Sequence, residues 1–323
     1  MQLLVSLNKF LEKHMPLITP IGVIIGVLFA GNLEGFAFLI PWIFAFITFS
    51  GSLSSNFSSL QRVVAHPFPL LIAMFILHII MPLWAWSIGF ITFHGDIYTM
   101  TGLILGMIIP TGITSFLWVT IYRGNIALTL SIILIDTLLS PFIVPLTLSL
   151  FVGERVEMDI IHIMKGLLGM VVVPSLIGML LNQLTKGKVR DVWSPRLSPF
   201  SKLCLGIVVM INGAVVAPYL RNIDVKLVGI AVTVFIIAFT GYLFSFLLST
   251  LLKRDKETVI ALTFSGGMRN ISAGAVLAVS YFPAAVAVPV VIGMLFQQIL
   301  ASLFGVVIDR YFQYKEVKKA KVA

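Results

Sequence analysis

The chain has 323 residues, 59% of them hydrophobic and 11% charged, with a mean hydropathy of +1.07 and a net charge of +9. A soluble domain carries about 25% charged residues, so this composition excludes a water-covered surface. The surplus positive charge lies in short loops between apolar runs and in the tail (Lys315, Lys318, Lys319 and Lys321), a pattern of membrane orientation that argues against a nucleic-acid partner.

In chain order, apolar runs long enough to cross a bilayer fall near 15–33, 36–54, 68–92, 98–122 and 125–152. A second set falls near 160–184, 200–219, 225–252, 257–281 and 284–311. Lipid cannot satisfy an exposed backbone amide, so each run is predicted as a helix. Lys9 and Lys13 precede the first run, but no small-residue cleavage site follows, and it reads as a retained helix. The single cysteine, Cys204, leaves no intrachain disulfide and no CxxC site. The expected fold class is an all-α polytopic membrane protein of ten transmembrane helices.

Charge sets the orientation. With both termini on one side, that side holds 17 Lys and Arg (Arg62 and Arg123 among its loop residues), against four on the other: Arg155, Lys165, Arg221 and Lys226. Both termini are therefore expected in the cytoplasm, in the cell membrane. Five spans in each half force the halves into opposite orientations, so residues 1–152 and 153–323 are expected to form two inverted repeats, the second with a basic cytoplasmic tail. Span four carries the polar stretch Pro110 to Ser115, and its counterpart in span nine is Ser265 to Ser272. Interrupted helices at matching positions point to a transport site, because freed backbone groups must face a cavity.

Three ionisable side chains sit deep within spans: His78, Asp136 and Arg269. Placing an Arg or Asp at mid-bilayer costs roughly 2.5–3.5 kcal/mol on the lenient insertion scale, so such residues need partners. The simplest pairing is Asp136 with Arg269, read either as a structural ion pair or as part of a functional site. His78, four residues before Pro82, reads as a helix–helix contact or as a proton carrier. Trp42, Trp84, Trp86 and Trp193 lie near span ends and fit interfacial anchoring, whereas Trp118 is closer to the span-four break.

Several stretches resemble the bile acid:sodium symporter family. Pro110 to Ser115, Arg123-Gly124-Asn125-Ile126-Ala127-Leu128 and Ser140-Pro141 are similar to that family's Pro-Gly-Gly-Thr-Ala-Ser, Arg-Gly-Asn-Val-Ala-Leu and Ser-Pro run. Gly51-Ser52-Leu53, His66-Pro67, Ile80-Met81-Pro82 and Gly267-Met268-Arg269-Asn270 agree with further family stretches. The resemblance implies a four-helix panel beside a six-helix core, spans four and nine broken and crossed, two sodium ions behind the crossing, and an amphipathic organic anion between panel and core.

Carried over residue by residue, the implied sodium ligands are largely missing. The first site's Ser-Asn pair falls on Ser115 and Phe116, and its span-five hydroxyls on Thr129 and Ile133. The shared Glu falls on Ser265, and the second site's Gln residues fall on Arg269 and on Leu77, beside His78. Sodium requires several hard oxygen ligands, and a guanidinium at one ligand position repels it. The expectation is a secondary transporter of a small or amphipathic organic anion that is independent of sodium, with Arg269 supplying the positive charge and Asp136 balancing it. Thr114, Ser115, Arg269 and Asn270 are the expected substrate residues; Asp136, His78, Thr129 and Ser265 serve ion coupling or charge balance. No metal and no cofactor is expected. The alternatives are a sodium-coupled symporter and a non-transporting sensor or scaffold. An intramembrane enzyme would need converging catalytic groups such as paired aspartates, which this sequence lacks.

Overall fold

The computed structural model describes residues 2–54, 67–153, 156, 158–221 and 223–320. Of the positions used above, Arg62, His66, Arg155 and Lys321 lie outside the described residues, as do the side chains of Lys9, Lys13, Lys318 and Lys319. The elements are all helical: α1 (Gln2–Leu28), α2 (Ala30–Ser52), α3 (Phe68–Thr92), α4 (Ile97–Ile108), α5 (Thr114–Ile121) and α6 (Ile126–Val152). There follow α7 (Ile160–Leu184), α8 (Ser194–Leu220), α9 (Val225–Leu251), α10 (Lys256–Gly267), α11 (Ile271–Tyr281) and α12 (Ala284–Ala320). Among the described residues seven helices are long and apolar enough to cross a membrane, and Leu17–Leu28, Ile97–Ile108 and Ile271–Tyr281 are shorter apolar helices.

Much of the apolar surface faces outward. Leu150 is 80% exposed, and Trp42, Ile91 and Leu251 are similarly bare, which in water would oppose folding but suits contact with acyl chains. The protein is thus an integral membrane protein with multiple spans. Most predicted boundaries match within a few residues; the first helix instead ends at Leu28, where the chain turns directly into α2.

Two groups of helices pack around the interior. In one, α1 lies along α8, which also packs on α2, and α2 packs on α7. Gly22 and Gly26, four apart on α1, let the backbones approach: a Cβ at Gly26 would collide with the Met210 carbonyl of α8, and Gly213 of α8 meets Val23 in the same way. Membrane helices use small residues for such contacts because lipid provides little hydrophobic drive between them. In the other group, α9 packs on α10 and α12, and α12 packs on α4 and α11. Trp84 belongs to this packing rather than to an interfacial belt, since its indole N–H donates to the Thr240 hydroxyl of α9 at 2.8 Å.

Two helices contain a wide, π-type turn: Ile76–Ile80 in α3, before Met81-Pro82, and Leu168–Val172 in α7, before Val173-Pro174. Proline lacks the N–H for the usual bond and its ring crowds the preceding turn. The widened turn relieves both, with Met81 N–H donating to the Ile76 carbonyl. His78 sits inside the first of these turns.

Candidate functional site

The first break is made by proline. Ile109 adopts an extended conformation (ψ 148°), as a residue before proline must, and α4 ends there. Pro110 and Thr111 continue extended, and α5 restarts at Thr114. The second break has no proline. α10 ends at Gly266-Gly267, where a side chain on Gly267 would overlap the Tyr242 ring, and Met268 is extended (φ −103°, ψ 115°). Asn270 then caps α11, its Oδ1 accepting from Ala273 N–H at 3.3 Å.

The two breaks meet as a short antiparallel bridge between Thr111 and Arg269. Gly112 N–H donates to the Met268 carbonyl at 3.1 Å, and Asn270 N–H donates to the Pro110 carbonyl at 2.8 Å. These bonds satisfy backbone groups that lipid could not. Glycine is required at 112 because a Cβ there would stand 2.8 Å from the Arg269 carbonyl.

Asp136 of α6 clamps the first break. It is fully buried, and its Oδ2 accepts from Thr111 N–H at 2.7 Å and from the Thr111 hydroxyl at 2.8 Å. The same hydroxyl lies 3.2 Å from the Ser265 carbonyl. The other carboxylate oxygen, Oδ1, is 3.1 Å from Nε2 of His78. The expected Asp136–Arg269 ion pair does not form: Asp136 turns toward Thr111 and His78, and acts on Arg269 only through space. The clamp is more favourable for Asp136 because two donors and an imidazole already stand around it.

Arg269 is 2% exposed, and its Nη1 and Nη2 have no hydrogen-bond partner. Its backbone is fixed: Arg269 N–H donates to Gln297 Oε1 at 3.0 Å, and the Tyr242 hydroxyl donates to the Gln297 carbonyl at 3.1 Å. The residue lines a cavity of about 190 Å³ between the two helix groups. One wall carries Thr48 and Ser52 of α2 and Ser175 of α7; the other carries Thr114, Asn270 and Gln298.

Of the expected substrate residues, Thr114, Arg269 and Asn270 come together on this cavity, while Ser115 is buried behind it with its Oγ unpartnered. Asp136 does not share the cavity face of Ile133; Ile133 and Thr137 line the cavity and Asp136 points to the break. Thr129 is buried and bonds back to the Asn125 carbonyl at 3.0 Å, apart from the crossing network. Ser265 contributes its carbonyl to the crossing, and its Oγ is unpartnered. Thr111 and Gln297 also hold the crossing together, and neither is singled out in the sequence. The signal for Gln297 is the Gln297-Gln298 amide pair in an otherwise apolar run.

Comparison with known proteins gives the family. The model of the sodium bile acid symporter family matches residues 41–223, more than half of the chain. The protein YbaS of Bacillus subtilis, itself uncharacterized, is 56% identical over 306 residues, which is 95% of this chain and 100% of that protein. YocS of the same organism, described as a sodium-dependent transporter, is 28% identical over 88% of each chain. The rice protein BASS1, a probable chloroplastic sodium/metabolite cotransporter, is 30% identical over 57% of this chain and 45% of its own length. An all-helical, lipid-facing chain with two broken helices meeting at a cavity, matched in this way, belongs to the sodium bile acid symporter family and is a secondary transporter, not an enzyme.

Proposed function

We propose that the protein carries a small or amphipathic organic anion by alternating access, without sodium, and that Arg269 supplies the charge with which the anion pairs. In this reading residues 1–152 and 153–323 are inverted five-helix repeats, α4–α5 and α10–α11 each form one broken span, and both termini face the cytoplasm. The pairing of loops supports the arrangement. Asn125 N–H donates to the Glu257 carbonyl at 3.0 Å, joining the ends of α5 and the start of α10, while Lys226 and Asp96 join 2.7 Å apart at the start of α9 and of α4.

The observation that carries the proposal is that Arg269, one of the residues lining the cavity, holds a buried guanidinium with two unpartnered nitrogens. A buried cation without a close counter-ion is disfavoured, and a carboxylate or sulfonate would satisfy both nitrogens in the bidentate geometry that arginine favours. The N-termini of α5 and α11 begin at the same crossing and add positive potential there. Asn270 and Thr114 supply further polar contacts. Asp136 acts on Arg269 only through space, so the guanidinium nitrogens have no direct partner and are left for the substrate.

Melting of the purified protein against a panel of monocarboxylates and sulfonates, in sodium and in choline, tests this, because a ligand that prefers the folded state raises stability by mass action. Stabilisation equal in both salts, and absent from Arg269→Gln, is expected; stabilisation that requires sodium refutes the reading. A sodium-coupled cycle is the second reading, favoured by the names of the YocS and BASS1 relatives.

A further inference from the structure

The anion site leaves one buried group unused. His78 and Asp136 line no part of the 190 Å³ cavity, yet they connect directly to the crossing. We propose that this pair binds a proton and couples it to the anion, so that one proton travels with each monoanion. The inference rests on the transport reading above.

The geometry provides a place for the proton. Oδ2 of Asp136 is occupied by two Thr111 donors, while Oδ1 faces Nε2 of His78 at 3.1 Å with no aligned hydrogen bond between them. A proton arriving at either atom is held by the other, forming an imidazolium–carboxylate or an imidazole–carboxylic acid pair. The proton, given up by water, forms one N–H or O–H bond, and no other covalent bond is made or broken.

Charge explains the coupling. Among the described residues Asp136 and Arg269 are the charged side chains in the buried interior. Tyr242 of α9 is committed to the Gln297 carbonyl. The helices packed on α3 and α6 bring no further titratable group to this depth: Tyr98 of α4, Lys256 and Glu257 of α10, and His162 and Lys165 of α7 sit in first or second turns, and α5 has none. With the pair unprotonated, Asp136 and Arg269 sum to zero. A proton raises the cluster to +1, and a bound monoanion returns it to zero. The empty and doubly loaded states are therefore neutral, whereas either ligand alone leaves an unbalanced charge in an interior that opposes one. Proton and anion favour each other's binding, as linkage requires. The path between the sites is a chain of contacts: His78 to Asp136, Asp136 to Thr111, and Thr111 across the bridge to Arg269.

Infrared difference spectra of the full-length protein in nanodiscs, stepped between pH 5 and pH 8 without any anion, test the proton site alone. A carboxyl or imidazole band is expected in the unmodified protein and is lost in Asp136→Asn; His78→Gln, which keeps the carboxylate clamp on Thr111, shifts or removes it. A band unchanged in both variants, or absent from the unmodified protein, overturns the proposal. Coupling is tested in proteoliposomes with radiolabelled monocarboxylates from pyruvate to cholate, in choline, corrected for protein-free liposomes. Accumulation should rise about tenfold per unit of imposed pH difference and ignore an imposed membrane potential. Accumulation indifferent to the pH difference, or driven by the potential, refutes the one-to-one coupling. If no anion is taken up under any condition, the transport reading fails, and the infrared titration still decides whether the pair binds a proton.

Discussion

The two helix breaks look alike in backbone and differ in what their side chains leave open. At the first, proline enforces the interruption, and the freed groups are closed off: Pro110 carbonyl, Thr111 N–H, the Thr111 hydroxyl and Gly112 N–H all have partners, two of them through Asp136. At the second, a glycine pair against Tyr242 makes the interruption, the Met268 carbonyl and the Arg269 and Asn270 N–H groups are closed in the same way, and the Arg269 guanidinium nitrogens Nη1 and Nη2 are not. On the proposed reading the first break is a clamp and the second is the receptor. A broken helix alone does not make a binding site; the group left unsatisfied after the backbone is closed does.

That contrast is broken most sharply at the receptor. Arg269→Gln removes the charged donors and should weaken anion binding roughly 10- to 100-fold, the loss of a charge-assisted hydrogen bond of about 1.5–3 kcal/mol, read as reduced thermal shift and lost uptake. Arg269→Lys should recover only part of it, since an ammonium cannot bind bidentately. At the clamp, Gly112→Ala should destabilise the protein by about 1–3 kcal/mol, because the added methyl meets the Arg269 carbonyl and backbone cannot yield. Gly106→Ala on α4, where nothing stands within 4 Å, should instead leave the melting temperature unchanged or raised. Equal effects of the two substitutions would remove the argument for a tight crossing.

Smaller effects follow away from the crossing. Gln297→Leu leaves Arg269 N–H without its acceptor and should cost about 1 kcal/mol, with a several-fold drop in anion affinity if the backbone holds the guanidinium in place. At the loop end, burial pushes the Asp96 carboxyl up, but the Lys226 ammonium and the Thr99 donors outweigh it and hold it below its ordinary value of 3.8. A carboxyl lowered in the folded state contributes stability that is present above its unfolded pKa and lost as pH falls through the folded value. Melting temperature should therefore fall more steeply below about pH 4 in the unmodified protein than in Asp96→Asn; parallel curves would show that the pair contributes nothing.

The spans, the two breaks and the three deep ionisable residues were legible because each rests on a local rule: apolar length, a proline or glycine pair, and the cost of charge in lipid. What was not legible is which deep residues touch. Opposite sign pairs Asp136 with Arg269 in the sequence, yet Thr111, with two donors on one residue, holds the carboxylate, and His78, carried by a π-turn before Pro82, stands 3.1 Å from its other oxygen. Charge predicts attraction; the number of donors within reach decides the contact. Thr111 lay inside the polar motif but offers no charge, and Gln297 is neutral in an apolar helix, so neither stood out from the sequence.

The most direct measurement is anion uptake by proteoliposomes with sodium replaced throughout by choline. Undiminished, saturable uptake is expected, with Arg269→Gln inactive in either salt. Uptake that collapses in choline, or that survives in Arg269→Gln, would contradict the assignment of the missing cation's charge to this arginine.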